Sequence, residues 1–218
     1  MRLLHVHLAR SIWLGDIRDF NPQGKSLYRV IWPFLTETYK FRKFPSLTES
    51  SDLTKGISFQ DGEFQISQDE LPIAVNLTIY NDGVLADSSS SSEYSDMFLA
   101  DVFHHFSEIF KMPPFQSVIR RRIYLSQLTV STDKTLEVLN PKLKQLSKYL
   151  SAHVELDKVF QLGGIHIWPD QVSRVNPSPF IFERAINVPF SENKYFSTAP
   201  LQTKQHLELL DKLETVLG

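Results

Sequence analysis

From Gly56 to Ser88 the chain alternates apolar and polar residues: Ile57 and Phe59, then Phe64 and Ile66, then Ile73, Val75, Leu77 and Ile79. A period of two places each set on one face of a strand. The alternation breaks at Asp61-Gly62 and Asp82-Gly83. A tight two-residue connection needs positive φ, which Gly accepts without steric cost and Asp or Asn tolerates better than most residues. The segments Gly56–Ser67 and Leu71–Ser88 are therefore predicted to be two β-hairpins, turning at those two dipeptides.

The same reading extends along the chain. Arg2–Leu14 begins as a strand, with Leu4, Val6 and Leu8 on one face and His5 and His7 on the other. Between Lys25 and Tyr39 the apolar residues have helical spacing, but Pro33 removes a backbone donor and should kink a helix there. Residues 45–55 and 87–95 read as surface loops, the second built on five serines from Ser88 to Ser92. A helix beginning near Ser95 carries Phe98, Val102, Phe106 and Ile109 as its stripe. A strand follows over Ile119–Val130. Asn140-Pro141 is a helix start, Asn as cap and Pro at the first helical position, with Leu143, Leu146 and Leu150 behind it. Val159–Trp168 and Phe180–Val188 are further strands, the segment around PFSENKYFSTAP is irregular, and a leucine-striped helix over Thr203–Leu217 closes the chain. Strands and helices alternate too irregularly for repeating βαβ units. The fold class is α+β: one domain over residues 1–218, a largely antiparallel sheet, and three to four helices packed on it.

Composition narrows the chemistry. At 218 residues and 42% hydrophobic residues the chain can bury one sizeable core. Sixteen Phe against eight Gly suit half-buried strands and leave few loops able to approach a phosphate closely. The net charge of −2 gives no global attraction for nucleic acid or an anionic membrane, so either would need a local patch. Zero Cys removes disulfides, thiolate zinc sites and cysteine nucleophiles, and fits a reducing cytoplasm. No apolar run approaches the roughly 20 residues of a membrane span, and MRLLHVHLAR lacks a signal peptide's apolar stretch. A soluble, cytoplasmic chain without a membrane partner is expected.

Catalytic signatures are absent. Gln23-Gly24-Lys25-Ser26 ends like a phosphate-binding loop, but the glycine needed five positions before Gly24 is Asp19, whose carboxylate would repel the ligand. The serine run lacks the G-x-S-x-G elbow of a hydrolase nucleophile. Glu183 and Arg184 point to opposite faces of a strand, each better placed to meet a neighbour than to perform acid/base work. His5 with His7, and Asp101 with His105 beside Glu108 and His104, are metal candidates without the spacing of a known site. Asp16, Asp19 or His166 could supply a third ligand to the histidines. No cofactor is expected.

Two binding readings remain. Lys40, Arg42 and Lys43 interleave with Phe41 and Phe44, and Arg120 and Arg122 open a strand, the combination of cations and rings that single-strand nucleic-acid binders use. Alternatively Phe190, Tyr195 and Phe196 in the Pro189–Pro200 segment, with Leu209 and Leu213 on the last helix, form a protein interface. The favoured expectation is a non-enzymatic interaction subunit or adaptor binding another protein or copies of itself; the alternatives are a nucleic-acid-contacting protein and a metal-dependent hydrolase.

Overall fold

Eight strands, β1 (Arg2–Leu14), β2 (Ile57–Phe64), β3 (Ile73–Tyr80), β4 (Gly83–Ser88), β5 (Arg121–Ser131), β6 (Gly164–Ile167), β7 (Phe180–Arg184) and β8 (Lys194–Ala199), form one antiparallel sheet in the order β2-β3-β4-β1-β5-β8-β7-β6. The computed structural model describes residues 1–20, 28–45, 53–67, 69–139, 141–154, 159–170 and 177–218. The helices are α1 (Ile17–Phe20), α2 (Tyr28–Thr38), α3 (Ser92–Phe110), α4 (Phe115–Val118), α5 (Pro141–His153) and α6 (Thr203–Val216). The α+β class with its antiparallel sheet is as the sequence predicts. The chain divides into two compact units: a core unit, Leu8–Ser126 with Leu201–Thr203, and a C-terminal unit, Met1–His7, Gln127–Pro200 and Lys204–Gly218.

In the core unit the alternating segment folds as a meander, β2-β3-β4. Two hairpins are present, but the first does not turn where expected. β2 runs unbroken past Asp61-Gly62, with a bulge just before the glycine: Phe59 faces Leu77 and Gly62 faces Val75, leaving Gln60 and Asp61 of β2 against Asn76 of β3. Asp61 does adopt positive φ, 55°, and its N–H donates to the Asn76 side chain at 2.9 Å. Gly62 is required because the buried Phe41 ring lies 2.4 Å from where a Cβ would stand. The reversal falls instead between Phe64 and Ile73.

The second hairpin closes over Asn81-Asp82, with Tyr80 opposite Gly83. Gly83 is needed for proximity and not for positive φ: a Cβ there would lie 2.5 Å from the Trp13 carbonyl oxygen of β1. Neither strand can yield cheaply, so Gly83→Ala is expected to cost about 2 kcal/mol of stability through overpacking. Urea denaturation should show that loss, while Gly163→Ala, which meets nothing within 4 Å, changes stability by less than about 0.5 kcal/mol.

One aromatic cluster fills the core unit. Phe59, Phe64, Val75 and Leu77 from the meander meet Phe98, Leu99, Val102, Phe103 and Phe106 of α3, with Trp32 and Leu35 of α2 and Tyr39 and Phe41 beyond it. Ile109, placed in the stripe by spacing, is exposed instead, and Phe110 packs against the cluster from the last turn of α3. Pro33 does not break α2. The burial of Trp32 and Leu35 on either side outweighs the missing backbone donor.

The serine run packs, contrary to the surface loop expected over residues 87–95. Ser88, Ser92 and Ser95 are buried, and α3 starts at Ser92. Ser91 caps the helix by accepting the Tyr94 N–H, and Ser95 Oγ donates to the Ala9 carbonyl at 2.8 Å. Ser92 and Thr203 cap each other: each backbone N–H donates to the other's hydroxyl, at 3.0 and 2.7 Å. Small hydroxyl side chains let backbone approach backbone while leaving no donor unsatisfied. The other expected loop, 45–55, lies largely outside the described residues, as do the Gly24-Lys25-Ser26 loop and Asn140.

In the C-terminal unit, the segment expected to be irregular contains β8. Tyr195, Ser197 and Ala199 point inward from it, and Tyr195 stacks on Phe182 of β7 with ring centroids 4.5 Å apart. Leu128, Leu136 and Leu210 complete this smaller core. The strand expected over Val159–Trp168 shortens to Gly164–Ile167, and the one expected to reach Val188 stops at Arg184, leaving Ile186 in an exposed turn.

Candidate interaction surface

α5 is a helix turned inside out. At about 100° per residue Leu143, Leu146 and Leu150 fall within an arc of about 60°. That stripe is not buried: the three leucines are 39%, 55% and 42% exposed, and no residue of the helix is buried. The neighbouring flank carries Ser147 and Ser151, which are more covered than the leucines. Ser151 Oγ accepts the Phe160 N–H at 2.9 Å, and both serine hydroxyls donate to carbonyls one turn back. A shallow cavity of about 400 Å³ lies along this flank, and its lining includes Glu137, Lys144, Ser147, Lys148, Ser151 and Phe160. Lys144 pairs with Glu137 at 2.9 Å, and Tyr149 stacks on His153 at 4.0 Å. Between 141 and 154 there are three lysines and no carboxylate.

The rest of the C-terminal unit repeats the theme. Val138, Val159, Phe160, Ile167, Trp168, Ile186, Phe190 and Val216 are exposed there as well. In the core unit, the exposed large hydrophobics among the described residues are Val30, Phe44, Leu71, Met97 and Ile109. The apolar surface left uncovered is concentrated in one unit.

The residues singled out as interface candidates fare unevenly. Tyr195 is fully buried, which corrects its expected place at the surface. Phe196 is half-buried in β8 against the His7 ring, at 5.6 Å, and Leu209 and Leu213 are half-buried on α6. Val216, at the end of the same helix, is exposed. Phe190 is exposed and lies under Arg184, whose guanidinium carbon is 4.6 Å from the ring centroid.

Each proposed nucleic-acid cation faces a carboxylate. Lys40 and Arg42 meet Glu63 at 3.2 and 3.5 Å, Lys43 meets Asp61 at 2.9 Å, and Arg120 meets Asp19 at 3.0 Å. Arg122 stacks over Trp13, 4.1 Å from the ring centroid, beside Asp96. Asp96 also accepts from Trp13 Nε1 and the Tyr124 hydroxyl, both at 2.8 Å, so Arg122 belongs to a packed network. This arrangement favours ordinary cation pairing over phosphate contact. A cavity of about 690 Å³ in the same unit includes Leu14, Asp16, Arg18, Asn81 and Arg120 in its lining. Two of its charges are likewise engaged with each other: Arg18 binds Asp16 through both carboxylate oxygens and holds the acid down to about 2.

The metal candidates do not assemble. His5 and His7 touch edge to face at 4.5 Å, and His7 Nε2 shares a 2.7 Å hydrogen bond with Thr129. Burial, then the neighbouring His5, lowers the His7 pKa. Asp101 accepts the hydroxyl of buried Tyr39 at 2.7 Å, and His105 Nδ1 donates to the Asp101 carbonyl. Among the described residues no three His, Cys, Asp or Glu come together in a metal-binding group.

Sequence reasoning missed a buried serine–histidine pair. Ser197 Oγ lies 2.8 Å from His206 Nε2 and 2.9 Å from the Ile181 carbonyl. A carbonyl can only accept, so the hydroxyl donates to Ile181 and the imidazole donates to the hydroxyl. That is the reverse of an activated nucleophile, and both residues are fully buried. In the sequence His206 stands beside a run of leucines with no motif around it.

No helix among the described residues is long and apolar enough to cross a membrane. No known family model matches the chain, and no curated protein matches it in sequence.

Proposed function

We propose that this protein is a non-enzymatic interaction subunit or adaptor of a larger cytoplasmic assembly, and that its C-terminal unit carries the docking surface. The observation supporting this reading is the uneven distribution of exposed apolar residues. Ile167 and Trp168, each 60% exposed, end β6, the outermost strand of the sheet order, and Ile186 and Phe190 follow its neighbour β7. Exposed apolar groups gathered in this way mark interaction surfaces more often than catalytic ones. The paired cations give the nucleic-acid reading less support, and the metal-dependent hydrolase reading has less support because neither His5 with His7 nor Asp101 with His105 gathers a third ligand among the described residues.

The test is recovery of the protein from its own cells under gentle conditions, with light scattering on the product. A complex of defined mass is expected, and Ile167→Glu with Trp168→Glu should release the chain from it while leaving the melting temperature within a few degrees. A solitary monomer before any substitution would overturn the proposal.

A further inference from the structure

We propose that this protein pairs with a second copy of itself through β6, the two strands running antiparallel about a twofold axis at His166 so that the sheets join edge to edge. The inference rests on the reading of the β6–β7 end as the docking surface and names its occupant.

The hydrogen-bond ladder fixes which backbone groups of β6 face outward. The Arg184 N–H donates to the Gly163 carbonyl at 2.8 Å, which makes those two a hydrogen-bonded pair. Bonded and non-bonded pairs alternate along an antiparallel ladder, so Ile165 with Phe182 and Ile167 with Phe180 are bonded pairs too. The N–H and C=O groups of Gly164, His166 and Trp168 therefore point away from β7. Among the described residues no segment pairs with that side. The outermost strand of the core unit differs: the far side of β2 is covered by the chain after α2, with Lys43 bridged to Gln60 and the Glu63 N–H donating to the Tyr39 carbonyl at 2.7 Å.

Exposed edges are normally blunted by lysine, proline, an inward charge or a bulge. From Gly163 to Trp168 β6 has none of these. Pro169 follows, but by the same alternation its missing N–H falls on the β7 side and leaves the far side open. A row of donors and acceptors at strand spacing is met by another extended backbone, not by a lipid headgroup or a nucleobase.

Self-complementarity selects a second copy as that backbone. With His166 on the axis, Gly164 stands opposite Trp168 of the second copy and Ile165 opposite its Ile167, and each contact occurs twice. Ile165 and Ile167 share the face of buried Phe180 and Phe182, yet Ile167 is exposed. Pairing brings the four isoleucines together at the closer, non-hydrogen-bonded positions and carries that apolar face across the axis. On the other face Gly164 can bear no side chain, because a Cβ would meet the Glu183 Cβ at 2.8 Å. Its bare backbone is where the exposed Trp168 ring of the second copy rests. The two imidazoles meet at the axis, each 3.6 Å from its own Glu183. The two Glu183 carboxylates are at least three strand spacings apart, no closer than about 14 Å, where salt screens their repulsion.

The experiment is light scattering and sedimentation of the full chain purified alone. At tens of micromolar it should have twice the 25.2 kDa mass of one chain. His166→Pro removes the outward N–H at the axis, where an edge strand accepts proline, and should weaken pairing about tenfold or more. His166→Ala keeps that N–H and should stay within about threefold of the parent. Both variants should melt as the parent does, which separates lost pairing from lost folding. A second measurement uses the absence of cysteine: His166→Cys gives one thiol per copy, and facing Cα atoms of a bonded pair lie about 5.5 Å apart, within disulfide reach. Mild oxidation should link that variant into a covalent dimer and leave Ile186→Cys, at an exposed turn, unlinked. A monomer at these concentrations, a dimer indifferent to His166→Pro, or equal linking from the two cysteine positions would each overturn the proposal. A chain that is monomeric alone, yet is recovered from cells in a complex that Ile167→Glu with Trp168→Glu releases, refutes pairing between copies and leaves the docking reading standing. A dimer as the sole species recovered from cells supports the pairing and refutes the larger assembly.

Discussion

Replacing Phe98 with alanine is expected to remove about 3–5 kcal/mol of stability, a large part of what a domain of this size possesses. Phe98 is fully buried and touches three other rings, Tyr39 at 5.0 Å edge to face, Phe64 at 5.5 Å and Phe41 at 6.4 Å. Those rings come from the chain after α2 and from β2, so the truncation opens a cavity that no single element can close. Tyr39 cannot move to fill it, because its hydroxyl is tied to Asp101. Urea denaturation followed by circular dichroism measures the effect. Phe98→Leu, which keeps most of the volume, should lose less than half as much. A cost for alanine below about 1 kcal/mol would mean that the aromatic cluster is not the stabilising centre of the core unit.

Acid is expected to produce the second large loss. Burial holds the His206 pKa at about 4, below its ordinary value of 6.5. The folded chain therefore keeps this imidazole neutral where the unfolded chain protonates it. Above pH 6.5 both states are neutral and the group makes no difference. As pH falls from about 6.5 toward about 4 the unfolded state gains a proton that the folded state lacks, and stability declines by up to about 3 kcal/mol. Below that window both states are charged and the loss from this residue levels off. Denaturation midpoints measured across pH 7.5 to 4 should show the decline, and His206→Gln should flatten it while keeping a donor toward Ser197. An unchanged slope in that variant would assign the acid sensitivity to another group.

The sheet was legible because period-two alternation is a local signal, and β1, β3, β4 and β5 follow it. Where reading failed, a distant residue decided. Asp61-Gly62 has the chemistry of a turn, but a bulge asks for the same positive φ, and only Phe41 and Asn76 distinguish the two. β8 escaped notice because its inward positions are Tyr195, Ser197 and Ala199, and a buried serine looks like a loop residue until its partners Ile181 and His206 are known. The serine run failed for the same reason: its hydroxyls are satisfied by Ala9 and Thr203, far away in the chain. Spacing located α5 and its leucines but not the direction they face, which depends on where serine finds a hydrogen bond. Phe190, Tyr195 and Phe196 in the Pro189–Pro200 segment suggest a binding loop; of the three only Phe190 is exposed.

The outward leucines of α5 also bear on how this chain can change over time. Residues in the aromatic cluster are held by one another, so a drift in one is opposed by the packing of the rest. Leu143, Leu146 and Leu150 stand outside that cluster and are between 39% and 55% exposed. Natural variants should tolerate change there freely, unless something outside the molecule holds those three positions apolar.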